Sequence, residues 1–287
     1  MSIELIISPR GENVRAQLAD APAWSAYVTE LRRVLLMAIE KSDVAFLEVG
    51  ELLVSEPLPA RFSHLRNGLE VRPVDAVDLV EEMVAGRGPY CRLLMPGRLH
   101  VEPGWDGAVH IYVRPSVAVD LGELGGGEAG FRWRDATPEP VDVSKLVDAV
   151  ADEGFWSALR ETAEGVTLLC ERWAHGVYGC RWFRVAPGNV TELARLVRPR
   201  SLLRSISAPD LRPKPEILEE DFTAFAAPLV PGELRYKAYP GGADSLSEVV
   251  TAGFPFVLAD EVSGNRYAVV PDLDGVVRGQ WEKPGES

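Results

Sequence analysis

A long amphipathic segment, residues 22–41, places the strongest constraint on the fold. Its apolar side chains recur every three to four positions, at Trp24, Tyr27, Val28, Leu31, Val34, Leu35 and Ile39. This spacing predicts a helix that buries one face. Residues 43–49 and 52–54 have the composition of short strands, and residues 73–85 repeat the helical pattern.

The strands that follow are predicted to pair with their neighbours in the chain. Residues 92–95, 98–101 and 108–113 are apolar and extended in character, and residues 103–107 between the last two contain turn-forming glycine and aspartate. Consecutive strands joined by short turns form antiparallel sheets. The fold class predicted from the sequence is therefore α+β, with mixed, mostly antiparallel sheets and flanking helices.

The second half of the chain also combines predicted helices with predicted strands. We predict a helix over 143–159, followed by a hairpin of strands 166–173 and 180–185. Asn189 and Glu192 resemble a capping box, which predicts the start of a short helix, and further strands follow it. The last strands, 256–258, 267–270 and 276–277, are predicted to form a three-stranded meander.

The segment 122–140 between the halves is rich in glycine and proline, which is typical of a linker or loop. We therefore predict two associated α+β domains, 1–121 and 141–287, joined by 122–140.

Composition narrows the class of partner and the compartment. The net charge of −13 argues against general affinity for nucleic acid or anionic membranes. No apolar run approaches the roughly 20 residues of a membrane-spanning helix, and the N-terminal residues lack the pattern of a secretory signal. Three cysteines without CxxC spacing predict free thiols, and 25 Arg against 5 Lys is typical of a bacterium with a GC-rich genome. The predicted location is the cytoplasm.

A basic and aromatic region stands out in this acidic chain. Residues 166–214 hold nine bases against three acids, and 170–184 is the densest aromatic stretch. Such residues form either a recognition surface or a core hairpin with paired arginines. If they form a surface, it is predicted to be continuous and positive. The candidate binding residues are Arg172, Trp173, His175, Tyr178, Arg181, Trp182, Arg184, Arg195, Arg198, Arg200 and Arg204.

A candidate metal site lies in the first half. His100 and Glu102 point to one face of a predicted strand, and a five-residue loop would place His110 directly across from His100. Two imidazoles and a carboxylate are ligands of zinc or non-haem iron. A shift of one residue in the register would send His110 to the opposite face.

Signatures of common enzymes are missing or incomplete. Residues 125–130 match GxGxxG, but no helix-forming segment follows them. The chain has no Walker A loop, HExxH or GxSxG, and residues 272–275 are predicted to form a turn rather than a calcium loop. Cys170 or Cys180 beside His175 is a candidate thiolate–imidazole pair.

The sequence therefore favours a soluble cytoplasmic bacterial binding or interaction protein of adaptor, chaperone-like or immunity-like type. The partner is either a protein or an anionic small molecule, with no membrane partner and no cofactor. Two alternatives stay open. One is an enzyme that holds a phosphate- or carboxylate-bearing substrate with the arginine cluster, and the other is a metalloenzyme with a divalent metal at His100, Glu102 and His110.

Overall fold

The computed structural model describes residues 2–10, 21–104, 106–122, 129–136, 142–212, 222–239, 249, 251–259 and 265–283. The chain divides into two compact units, residues 1–142 and 143–287. Both units combine helices with antiparallel sheets, so the predicted α+β class is confirmed. Among the described residues, no helix has the length and apolarity needed to cross a membrane.

The first unit contains seven strands and three α-helices in its described part. In chain order these are β1 (Ile3–Pro9), α1 (Ala21–Lys41), β2 (Leu47–Leu53), β3 (Glu70–Val71), α2 (Pro73–Val84), β4 (Tyr90–Met95), β5 (Leu99–Pro103), β6 (Val109–Val113), α3 (Pro115–Leu121) and β7 (Ala129–Asp135). The strands form one sheet, sheet 1, in the order β3-β2-β4-β5-β6-β1-β7 with antiparallel pairs throughout.

The two predicted helices of this unit are confirmed. Helix α1 buries one stripe that includes Leu31, Val34 and Leu35, and it contacts α2, α3, β1 and β7. Helix α2 begins at Pro73, whose fixed φ suits the first helical position. Strands β5 and β6 alternate buried and half-buried residues, so sheet 1 presents one apolar face and one partly exposed polar face.

The glycine- and proline-rich segment is not a linker over its whole length. Residues 129–135 form β7, which pairs with β1 along its full length from Ile3↔Asp135 to Pro9↔Ala129. The hydrogen-bonding groups of β1 provide this strand with a partner that no local pattern reveals. The GxGxxG match at 125–130 lies mostly outside the described residues.

The second unit contains eight strands and two α-helices in its described part. They are α4 (Glu153–Thr162), β8 (Thr167–Arg172), β9 (Cys180–Val185), α5 (Val190–Leu196), β10 (Leu202–Ser207), β11 (Phe222–Phe225), β12 (Gly232–Leu234), β13 (Tyr236–Tyr239), β14 (Phe256–Ala259) and β15 (Asn265–Val269). Sheet 2 has the order β12-β9-β8-β10-β15, and sheet 3 has the order β13-β11-β14.

Sheet 2 packs on both faces. One face, with Leu169, Phe183 and Leu203, forms an apolar cluster with α4 and α5. The opposite face, with Leu168, Trp182 and Ile206, packs against Phe225 and Leu258 of sheet 3. Because both faces are covered, the side chains of β8 and β9 belong to two separate environments.

The predicted helix 143–159 is wrong over its first half. The α-helix begins only at Glu153, where the Asp152 carboxylate accepts a hydrogen bond from the Phe155 N–H at 2.9 Å. The residues before it have other partners, since the Val147 N–H donates to the Trp281 carbonyl at 2.8 Å. Backbone pairing with the C-terminal segment therefore replaces the first helical turns.

Two further predictions about the second unit are wrong. The meander does not form, because β14 pairs with β11 in sheet 3, β15 pairs with β10 in sheet 2, and residues 276–277 are not a strand. The helix after Asn189 is present, but the Asn189 side chain does not cap it. Its amide instead bridges the Arg184 carbonyl and the Ala186 N–H, at 3.0 and 2.9 Å.

Candidate functional site

A pocket of about 210 Å³ lies within the second unit, between sheet 2 and sheet 3. The β8–β9 hairpin provides Arg172, Gly176, Val177, Cys180 and Trp182. Sheet 3 provides Phe222, Thr223, Tyr236, Ala238 and Tyr239. Among the described residues, the lining thus combines one guanidinium and four aromatic rings with hydroxyl and thiol groups, and it contains no carboxylate.

Arg172 is the charged member of the lining. It ends β8, directly opposite Cys180 of β9, and its Nη1 donates to the Gly176 carbonyl at 3.4 Å. The side chain is half-buried. A guanidinium held at the edge of an apolar pocket interacts more strongly with an anion than one in bulk water does.

Tyr239 brings an unsatisfied polar group to the pocket. The residue is 5% exposed, its ring stacks on Phe222 at 5.0 Å, and its hydroxyl is buried without a hydrogen-bond partner among the described residues. A buried hydroxyl without a partner costs free energy. The hydroxyl has almost no accessible surface, so it is a cost to the folded chain rather than a contact offered to a ligand in the pocket.

Tyr236 and the thiols complete the polar part of the wall. The Tyr236 hydroxyl donates to the Cys180 carbonyl at 2.8 Å and lies 3.6 Å from the Cys180 Sγ. Burial, and then the neighbouring Cys180 thiol, raises the pKa of Tyr236 and of Cys170 above their ordinary values. A raised pKa keeps a thiol protonated at neutral pH, which opposes the thiolate required of a nucleophile.

The candidate pair of cysteine and histidine is not formed among the described contacts. The Cys170 side chain lies in the apolar cluster that packs against sheet 3. The His175 ring lies 5.2 Å from the Trp281 ring, and the residue is exposed. A thiolate–imidazole dyad requires contact between the two side chains.

The hairpin is core at some positions and surface at others. Trp182 is 2% exposed and packs edge-on against Phe225, with ring centroids 5.3 Å apart, whereas Tyr178 is 49% exposed. The half-buried Trp173 ring is covered by the Arg198 guanidinium at 4.6 Å. One tryptophan of the pair is therefore buried, as the alternation of a strand predicts.

The arginines do not form one continuous positive surface. Arg181 lies on the helix-covered face of sheet 2, where its Nε donates to the fully buried Glu171 carboxylate at 2.5 Å. Arg200 pairs with Asp272 at 3.0 Å, and Arg184 donates to backbone carbonyls, including that of Gly165 at 2.8 Å. Carboxylates and carbonyl groups of other elements therefore bind many of these guanidinium groups within the fold.

Of the candidate binding residues, the pocket brings together Arg172 and Trp182. Arg204 is half-buried on β10, opposite Cys170, and Arg195 is exposed on α5. The other candidates take part in the contacts described above or, like Tyr178, lie on the surface. The cluster of eleven residues is thus not a single site.

The three metal-site candidates of the first unit share the polar face of sheet 1, but in a different register. The loop between β5 and β6 begins one residue later than predicted, since Pro103 pairs with Val109 and the Gly104 N–H donates to the Ala108 carbonyl at 2.7 Å. His110 therefore lies opposite Glu102, and Tyr112 lies opposite His100. The described residues contain no group of three or more His, Cys, Asp or Glu side chains arranged to hold a metal ion.

The two histidines have separate environments. The His110 Nδ1 lies 2.7 Å from the Oε1 of Glu4, which has no exposed surface and also accepts hydrogen bonds from Arg134. Burial alone would raise the pKa of Glu4, but the hydrogen bonds from Arg134 and His110 lower it below its ordinary value. Burial lowers the pKa of His100 from 6.5 to about 4, although its neighbour Glu102 acts in the opposite direction. Glu4, His110 and Arg134 thus form an internally paired network on this face.

Sequence reasoning missed the sheet 3 side of the pocket. Thr223, Tyr236 and Tyr239 are separated from the hairpin by about 40 residues or more, and no local pattern connects them. No protein family model, curated protein or solved structure matches the chain.

Proposed function

We propose that the chain is a binding protein whose second unit holds a small anionic molecule in the pocket between sheets 2 and 3. The observation that carries the proposal is that the described part of the lining combines the Arg172 guanidinium with four aromatic rings and contains no carboxylate. A cationic ligand would be repelled by the guanidinium. An anion would gain a charged hydrogen-bond donor.

Binding rather than catalysis is favoured by the protonation states around the pocket. The raised pKa values of Cys170 and Tyr236 remove a thiolate and a phenolate at neutral pH. The part of the lining that the structure describes contains neither a histidine nor a carboxylate that would act as a general base. An enzyme acting on the same anion stays the alternative, and substrate turnover would be its test.

The cytoplasm of a bacterium is the proposed setting. The support is compositional, namely the excess of arginine over lysine, together with three cysteines that are all free and buried. Small charged metabolites occur in the cytoplasm, and we propose one of them as the ligand.

A thermal-unfolding series tests the proposal directly. Small carboxylates and inorganic phosphate are added at increasing concentration to the wild-type chain and to the Arg172→Gln variant. A ligand that binds only the folded state raises the melting temperature with concentration. We expect at least one anion to stabilise the wild type and to have no effect on the variant. An equal response of the two proteins would refute the proposal.

The exposed Arg195 on α5 provides the matched control. The substitution Arg195→Gln removes the same charge from the same predicted basic region without touching the pocket. Its response to anions should equal that of the wild type. If Arg195→Gln also abolishes the response, the effect comes from net charge rather than from the pocket.

A further inference from the structure

Two cysteines lie side by side on one face of sheet 2. Cys170 of β8 is directly opposite Trp182 of β9, and Cys180 lies two residues before Trp182 on the same strand. Because side chains two positions apart on a strand share a face, the two cysteines are diagonal neighbours. Both are free thiols in the apolar cluster that packs against sheet 3. Their thiols interact, since burial and then a hydrogen bond with Cys180 raise the pKa of Cys170.

The diagonal spacing is too wide for a disulfide. A disulfide requires two Cβ atoms about 3.5–4.5 Å apart, whereas the Cβ atoms of diagonal neighbours in an antiparallel pair are about 6–7 Å apart. A bridging metal ion replaces the sulfur–sulfur bond by two longer bonds. With metal–thiolate bonds of about 2.3 Å, a linear bridge spans about 4.6 Å between the two sulfur atoms. The pair is therefore spaced for a bridging ion rather than for a direct sulfur–sulfur bond.

Two sulfur donors select a soft ion. Thiolates favour monovalent copper, whereas magnesium and calcium take oxygen ligands. Zinc is bound by four ligands in structural sites, but the described residues hold no group of three or more His, Cys, Asp or Glu side chains arranged around a metal ion. Monovalent copper has a filled d shell and accepts two thiolates in a line. It is the ion that this pair of donors fits.

The charge of a bridged pair is offset by its neighbours. Two neutral thiols and one Cu(I) ion give a bridged pair with a single negative charge and two released protons. Arg172 is directly opposite Cys180, and Arg204 is directly opposite Cys170. Burial and the Cys180 thiol raise the pKa of Cys170, but the positive charges of Arg172 and Arg204 lower it. This attraction acts over distance, so it does not require either guanidinium to be free of other contacts.

The pocket between sheets 2 and 3 gives access to the pair. Cys180 lines this pocket and is 6% exposed, whereas Cys170 is 1% exposed. The Tyr236 hydroxyl lies 3.6 Å from the Cys180 Sγ on the same wall. An ion that enters the pocket therefore meets the Cys180 sulfur first, and the Cys170 sulfur completes the site.

We infer that Cys170 and Cys180 form a binding site for one monovalent copper ion, which bridges their sulfur atoms in a two-coordinate arrangement. The inference goes beyond the proposed anion site. It does not depend on that site, because it requires the two thiols and no ligand held by Arg172.

Anaerobic titration of the reduced full chain with Cu(I), in competition with a chromogenic Cu(I) chelator, tests the inference. We expect the wild type to withdraw one equivalent of Cu(I) from the chelator. Cys170→Ser and Cys180→Ser should each weaken this binding by about a hundredfold or more. Even a group that only hydrogen-bonds to a metal ligand is worth about tenfold to a hundredfold in affinity.

The third cysteine provides the control. Cys91 lies on β4 of the first unit, and its thiol contacts the Met83 sulfur at 3.8 Å, so it is the rival soft site. Cys91→Ala should leave the stoichiometry and the affinity for Cu(I) unchanged. Loss of binding in Cys91→Ala, unweakened binding in either serine variant, or a wild type that withdraws no copper would overturn the inference.

X-ray absorption at the copper edge needs no variant and covers the case in which a serine variant does not fold. The wild-type chain loaded with one equivalent of Cu(I) should show two sulfur neighbours at about 2.3 Å from the copper. A copper environment dominated by nitrogen or oxygen neighbours, or a short copper–copper distance, would refute the two-thiol site.

Discussion

Two buried tyrosines offer a matched test of the unpartnered hydroxyl. The Tyr27 hydroxyl donates to the Gly107 carbonyl at 2.7 Å, and the residue is 1% exposed. Tyr239 is 5% exposed, and its hydroxyl has no partner among the described residues. The change from tyrosine to phenylalanine deletes the same atom at both sites and keeps both rings. We expect the two substitutions to change stability in opposite directions.

The expected magnitudes follow from the free energy that it costs to bury a polar group without a hydrogen bond. Tyr27→Phe removes a hydrogen bond and leaves the buried Gly107 carbonyl without that donor, so the free energy of unfolding should fall by about 1–3 kcal/mol. Tyr239→Phe removes a desolvated hydroxyl that no bond compensates, so the free energy of unfolding should rise by about 1–3 kcal/mol. The stacking of the Tyr239 ring on Phe222 is retained in the variant.

Native-state hydrogen exchange is the appropriate assay, because the chain has two compact units and each variant lies in one of them. Peptides from α1 and β6 report on the unit of Tyr27, and peptides from β11 and β13 report on that of Tyr239. Urea titration of the exchange gives the free energy of opening for each unit. A loss of 1 kcal/mol or more in Tyr239→Phe would show that the hydroxyl has a partner in the folded protein, and the reasoning about the unsatisfied hydroxyl would be refuted.

Three further predictions test the structure elsewhere. Gly179→Ala should destabilise the second unit by about 1–3 kcal/mol in urea unfolding, because a Cβ at residue 179 would lie 2.4 Å from a backbone oxygen of the same loop. Gly188→Ala is the control. Its Cβ would have open space around it, so the free energy of unfolding should change by no more than about 0.5 kcal/mol. Burial lowers the pKa of His100 in the folded chain from its ordinary 6.5 to about 4. The free energy of unfolding should therefore fall by on the order of 3 kcal/mol as the pH is lowered from 6.5 to 4, and His100→Phe should remove this pH dependence. Trp182→Ala should cost about 3–5 kcal/mol, and the half-buried Trp173 less, by the same urea measurement.

The parts of the fold that depend on local pattern were predictable from the sequence. The apolar stripe of 22–41 and the turn residues between 173 and 180 act within one element, and α1 and the β8–β9 hairpin follow them. Residues 143–152 were not predictable, because their backbone groups pair with residues more than 100 positions away, as in the bond from Val147 to Trp281. Local propensity gives way where such long-range pairing is available.

The candidate site was also only partly predictable from the sequence. Arg172 and Trp182 could be named from the sequence because composition alone marks the hairpin. Tyr239 could not, because its importance lies in a missing hydrogen bond, which only coordinates reveal. The register of the metal candidates was not predictable in the same way. The hairpin loop is shifted by one residue, so His110 lies opposite Glu102 instead of His100.

The dense stretch 170–184 resolves into two roles because a strand has two faces. Glu171 and Arg181 point to the side of α4 and α5, where the buried carboxylate also accepts from the Arg198 N–H at 2.6 Å and fixes the loop after α5. Their neighbours in the chain, Arg172 and Trp182, point to sheet 3 and line the pocket. A count of arginines in such a segment therefore overstates the positive surface, since residues such as Arg181 form ion pairs within the fold. Among the described lining residues of the pocket, Arg172 carries the positive charge, and this is why a single substitution there carries the main test of function.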